Sequence, residues 1–262
     1  MSRSISLLLL TAAFVGGAIA APPSKVFHRT VSLARGGQVD FHSERGTAHL
    51  TTWDRNEVDV FARIEADPDS RNPEESVRRT EIRFSATGNF VRIATDFGEQ
   101  NTTWLHEDGD PRPHVSYEIR VPRAVLLQIR DNRSDIKIGD LWGHLTLDTD
   151  RSQINVASLT GTITVHADRG QVVIGRLALT DSSHFQTDRT SLDLGLASSQ
   201  NIRLDLDLDR VSHSVEAGLL TGVIREDHHH TTYRGMAESG GPTLHVTADR
   251  GSLSLRRPQR SS

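Results

Sequence analysis

The sequence predicts an all-β chain wound as a β-solenoid with coils of 18 to 21 residues. Three observations predict it. Apolar residues recur at four fixed positions around a polar turn, the turn has one chemical type, and the interval between turns stays near 20 residues. Taking the turn arginine as zero, the apolar positions are −6, −4, +3 and +5. Around Arg133 they hold Leu127, Ile129, Ile136 and Ile138; around Arg151, Leu145, Leu147, Ile154 and Val156; around Arg169, Ile163, Val165, Val172 and Ile174. Arg189 keeps Phe185, Leu192 and Leu194 with Ser183 as the miss, and Arg250 keeps Leu244, Val246, Leu253 and Leu255. With 35% hydrophobic residues, four fixed positions all match by chance in about 1.5% of windows, so the recurrence is a property of the chain.

Alternation of period two within each arm means short strands with one buried face. The steps from Arg133 to Arg151, Arg169, Arg189 and Arg210 are 18, 18, 20 and 21 residues. Units of that length cannot bury a face alone and must stack on their neighbours. A further apolar site at +8 (Leu141, Leu159, Leu177) fills the inside of each coil, and Gly143 and Gly161 follow where the backbone bends. Asn132, Asp150, Asp168 and Asp188 precede the four arginines and suit turns through their own side chains. The same periodicity allows an antiparallel sandwich or meander, with each Asp-Arg turn closing a hairpin. Like residues recurring in like slots favour stacking.

The remaining elements follow in chain order. Arg3, the apolar run through Leu7-Leu8-Leu9-Leu10 to Val15, and the small-residue exit Ala18-Ile19-Ala20 form a secretory signal peptide over residues 1–20. Its apolar stretch, Ile5 to Ala20, falls short of the roughly 20 residues a spanning helix needs, so an exported chain without stable membrane insertion is expected. Residues 21–120 read as a β-rich part with one short helix, started by Asn72-Pro73-Glu74-Glu75. Weaker copies of the turn pattern sit there at Arg45 and Gly88. Residues 121–262 carry the coils, continuous with the preceding part. Gly98 to Pro113 and Gly222 to Pro242 read as loops, the second holding His228-His229-His230.

Several short motifs occur in a recognisable order. Trp53-Asp54-Arg55-Asn56-Glu57-Val58-Asp59-Val60 comes first, then Glu118-Ile119-Arg120-Val121-Pro122, then the polar-turn coils, and last Gly240-Gly241-Pro242-Thr243-Leu244 through Leu255. Over Phe27 to Arg256 the chain resembles the bacterial putative-adhesin family of exported β-helix proteins. The resemblance implies a single-stranded β-helix of non-enzymatic function. The turn arginine departs from the family pattern, which more often has a small polar residue before glycine.

Composition and motifs narrow the chemistry. Thirty basic and 34 acidic residues give a formal charge of −4, without the basic excess of a nucleic-acid binder. Cysteine is absent, which removes disulfide and thiolate chemistry. No nucleophile elbow, zinc-protease motif, phosphate loop or dinucleotide fingerprint occurs, and nothing calls for a cofactor. Asp205, Asp207 and Asp209 alternate with leucines and read as the wet face of one strand. The histidine triplet lacks a distant partner at ligand spacing, and His184 and His245 occupy outward slots of different coils, so no metal site is assigned. Glu107-Asp108-Gly109-Asp110 lacks full calcium-loop spacing. The candidate ligand-binding residues are Arg133, Arg151, Arg169 and Arg189. Stacked in one row they would carry forks for the carboxylate or sulfate groups of an anionic glycan, or for an envelope protein. The competing expectation is that the neighbouring aspartates neutralise that row.

Overall fold

The computed structural model describes residues 21–98, 111–197, 201–219, 221–237 and 240–258. The expected signal peptide and most of the first expected loop, including Glu107 to Asp110, lie outside them. The described chain is nearly all β, with sixteen strands in one open sheet and one short helix.

The centre is a parallel ladder. Strands β8 (Ala124–Asp131), β9 (Ser134–Thr149), β10 (Ser152–Ala167), β11 (Gly170–Leu179) and β12 (Ser183–Leu196) pair so that like slots face one another. Ile136 lies opposite Ile154, Ile154 opposite Val172, and Val172 opposite Leu192, a column at most 1% exposed. Leu127, Leu145 and Ile163 form a second buried column, and Leu141, Leu159 and Leu177 a third. The two-residue turn at Asp150-Arg151 therefore closes no hairpin, because β9 and β10 run the same way. Gly143 and Gly161 face each other at φ +133° and +146°, a region closed to L side chains. A Cβ on Gly161 would sit 1.8 Å from the Gly143 carbonyl oxygen.

The Arg45 copy joins the parallel ladder. Flanking Arg45, β2 (Gln38–Ser43) and β3 (Gly46–Trp53) lie parallel to β8 and β9, with Val39 opposite Leu127 and Ala48 opposite Ile136. The Gly88 copy does not. There β5 (Glu81–Thr87) and β6 (Phe90–Asp96) pair antiparallel across a tight turn. Two apolar-alternating arms at this spacing can wind or fold back, and only the available sheet edge distinguishes the outcomes. The helix α1 spans Pro73–Arg79 with the expected proline in its first turn, Glu74 and Glu75 at its start and Arg78 and Arg79 at its end, matching the helix dipole.

Two further expectations are corrected at the C-terminal side. The copies at Arg189 and Arg210 are not neighbours. Strand β16 (Thr243–Arg256) inserts between β12 and β13 (Ile202–Val215), parallel to both, with Phe185, Val246 and Leu206 in one row. Residues 222–242 are also not a loop throughout. Strands β14 (Thr221–Asp227) and β15 (His230–Ala237) form an antiparallel hairpin on the edge of β13, and buried Tyr233 closes that end of the core. At the opposite end, β1 (Ser24–Ser32), β4 (Glu57–Glu65) and β7 (His114–Pro122) run antiparallel, and β7 joins β3.

Candidate functional site: the aspartate–arginine edge

The turn residues between successive parallel strands line one edge of the ladder. Turning the chain within two residues forces a left-handed backbone onto arginine itself, with φ 55° at Arg151, 50° at Arg189, 53° at Arg210 and 58° at Arg250. That conformation is uncommon for residues other than glycine. Arg169 is not among them; there Gly170, at φ 120°, has the positive φ.

Parallel neighbours stand about 4.8 Å apart, where two unit charges in water repel by about 0.9 kcal/mol. The aspartates remove that repulsion by bridging coils. Arg169 reaches Asp168 of its own turn at 2.9 Å and Asp150 of the preceding coil at 3.3 Å. Arg189 holds Asp188 at 2.9 Å and Asp168 at 3.1 Å. Arg250 holds Asp249 and Asp188, both at 2.9 Å. Arg210 holds Asp209 at 2.9 Å and Asp249 at 2.7 Å. Arg151 pairs with Asp150 at 2.8 Å, and the slot before it holds neutral Asn132. Five arginines and five aspartates thus alternate through five neighbouring turns. Burial raises the Asp168 carboxyl, but hydrogen bonds from Arg189 and Arg169 outweigh it and leave the group below the usual carboxylate range. The hydrogen bond to Asp168 in turn raises the Arg189 guanidinium.

Of the four predicted arginines, the structure brings Arg151, Arg169 and Arg189 into this ladder and sets Arg133 at its end. Arg133 is exposed, its own turn offers Asn132, and among the described residues no carboxylate lies within ion-pair distance of it. The next position down is Arg45, which pairs with Asp67 at 2.9 Å. Arg250 and Arg210 complete the row. The pattern contained both arginines, but their places depend on the insertion of β16.

Beside the ladder runs an open groove of about 600 Å³, lined by Asp148, Asp150, Asp168, Asp188 and Asp249 among others. Asp131, at its N-terminal end, is buried and accepts from the Ser134 amide at 2.9 Å and from the Ser134 and Ser152 hydroxyls. Burial pushes its carboxyl above the usual range, against those hydrogen bonds. Asp131 joins two coils, a role the sequence signalled only as an aspartate two residues before a turn arginine.

The outward face of the same strands is polar. His144 contacts the Thr162 hydroxyl at 2.6 Å and the Thr146 hydroxyl at 2.9 Å. His184 and His245 lie on adjacent strands with stacked rings 4.9 Å apart, and His245 is 3.4 Å from Asp205. Asp205, Asp207 and Asp209 flank buried Leu204, Leu206 and Leu208, as expected of a one-faced strand. The histidine triplet occupies the turn of the β14–β15 hairpin, where His228 bonds Asp227 at 2.6 Å and His230 lies 3.5 Å from Asp207. Among the described residues no three His, Asp or Glu side chains gather around a common centre.

No family model matches the chain, and no curated protein matches it. Among solved structures, the chain is similar to a putative cell adhesion protein from Clostridium sporogenes at 6% identity and a TM-score of 0.49, covering 90% of this chain and all of that one. It is similar to a putative adhesin from Bacteroides fragilis at 10% identity and a TM-score of 0.39, covering 90% and 98%. A putative lipid binding protein from Parabacteroides distasonis follows at 11% identity and a TM-score of 0.27, covering 88% and 96%.

Proposed function

We propose that the chain is an exported, non-enzymatic β-solenoid that serves as an adhesin-like binding or structural module of the cell envelope. The observation that carries this reading is the in-register stacking of like residues through the coils, which makes a stiff body with a repeating polar surface. The ladder supports a structural role for Arg151, Arg169 and Arg189, since each is matched by an aspartate. Arg133 supports the binding role. With its charge unmatched in its own turn, it offers a bidentate fork to a carboxylate or sulfate of an anionic glycan or envelope protein, and Arg151 stands beside it.

The non-enzymatic part rests on the carboxylates. Hydrolysis of a glycosidic bond needs one accessible protonated carboxyl and one ionised partner. The groove aspartates of the ladder are engaged by arginines, and the carboxyl held high, Asp131, is buried and occupied by Ser134 and Ser152.

Binding of the purified protein to an immobilised sulfated polysaccharide tests the reading. Binding at low salt is expected, with steep loss as ionic strength rises and several-fold weakening in Arg133→Ala with an unchanged melting temperature. Wild-type protein that ignores the polymer at low salt, or an Arg133→Ala variant that binds equally well, would remove the anionic ligand.

A further inference from the structure

The sheet is open, and its two ends are unlike each other. Among the described residues β1 bonds only to β4, β14 only to β15 and β5 only to β6, so each presents a row of backbone donors and acceptors along its free side, and of the three β5 carries none of the exposed large hydrophobic residues. The β1 and β14 edges are nine and seven residues long. All of β14 is exposed, as are seven of the nine residues of β1. Neither strand contains proline, and both run in unbroken register with their neighbours, so no bulge turns the edge away. The cations that could guard β1 are drawn onto its own fold. Lys25 donates to the Thr80 carbonyl at 3.3 Å, and Arg29 lies 5.3 Å above the Phe84 ring.

Exposed apolar side chains collect at the same two places. Six large hydrophobic residues are exposed among those described. Val26 is on β1, Val223 and Ile224 are on β14, and Met236 is on β15 beside it, so four of the six mark the ends. The ends also differ in sign. β1 carries Lys25 and Arg29 and no carboxylate, whereas β14 carries Glu226 and Asp227 against the single Arg225. The Glu226 and Asp227 side chains are 65% and 85% exposed.

Two like ends brought together would oppose like charges, while unlike ends match in sign, in apolar content and in length. We propose that copies of this chain associate end to end, the β1 edge of one adding as a strand to the β14 edge of the next. Such a contact is heterologous and does not close, so it extends into linear assemblies instead of stopping at a two-fold dimer. It uses residues outside the arginine ladder and is independent of the polymer-binding reading.

Sedimentation velocity of the purified protein from low to high micromolar concentration tests it. The weight-average mass is expected to rise with concentration past the dimer without a plateau, and to fall back as salt is added. Val26→Lys blocks one end and Val223→Lys the other; both side chains are more than half exposed, so the fold is retained. Each variant alone is expected to be monomeric, and their equimolar mixture to stop at a one-to-one dimer. Asp227→Lys, at the most exposed carboxylate of the edge, weakens wild-type assembly through charge alone. Wild type that stays monomeric throughout, mass that plateaus at a dimer, or a mixture that yields no heterodimer would overturn the proposal.

Discussion

Replacing Gly161 by alanine places a methyl group where the backbone of the preceding strand, β9, already lies. Gly161 has φ +146° and sits opposite Gly143 in the parallel ladder. The added Cβ would lie 1.8 Å from the Gly143 oxygen, 2.8 Å from its carbonyl carbon and 3.1 Å from its nitrogen. The atoms it meets belong to the backbone, so no side chain can rotate away. Backbone strain at such a φ costs about 1–3 kcal/mol, and opening the ladder to relieve the contact adds lost hydrogen bonds at about 1 kcal/mol each. A total of about 3 kcal/mol or more follows, which at about 2–4 °C per kcal/mol lowers the melting temperature by about 6–12 °C. Gly88→Ala is the control. A Cβ there meets nothing within 4 Å, so the melting temperature should hold or rise slightly as the unfolded chain loses freedom. Thermal unfolding followed by far-ultraviolet circular dichroism reads both. A Gly161→Ala protein melting within 2 °C or so of wild type would refute the close approach of the two coils.

Two other outcomes are expected. Leu147→Asp or Val165→Asp, each at a fully buried site, should cost about 4 kcal/mol or more by burying an unpaired carboxylate, whereas Thr146→Ser or Gln153→Ala on the outer face should stay within about 0.5 kcal/mol; equal losses in a denaturant titration would place the register wrongly. Acid sensitivity should separate the two kinds of aspartate. Asp131 has a raised folded pKa, so the folded state takes up its proton first, and wild type should gain stability relative to Asp131→Asn as pH falls from neutral toward the ordinary carboxylate value of 3.8. Asp168 has a lowered folded pKa, so its contribution is present above 3.8 and is lost below it, and wild type should converge on Asp168→Asn there. Melting curves at neutral pH, pH 4 and pH 3 check both signs.

The strands of the central ladder, their buried faces and the repeat interval were legible in the sequence because each depends on local spacing. Leu127, Ile136, Leu145, Ile154, Ile163 and Val172 alternate with polar residues, and one buried face requires that alternation whatever lies beyond it. The glycines at 143 and 161 were legible for the same reason. What the local pattern leaves open is which strand fills which edge. Parallel and antiparallel neighbours both satisfy a period of two, and backbone hydrogen bonds carry no side-chain code. The apolar arms around Gly88 therefore fold back as a hairpin while those around Arg45 wind into the stack. The same indifference lets β16 leave sequence order and enter between β12 and β13, stacking His184 on His245 and setting Arg250 between Arg189 and Arg210. The alternation of aspartate and arginine in each turn was written in the chain. That Arg169, Arg189, Arg250 and Arg210 also hold the aspartate of the neighbouring strand's turn was decided by the tertiary structure, because only parallel stacking at strand spacing brings residues 18 or more apart within hydrogen-bond reach.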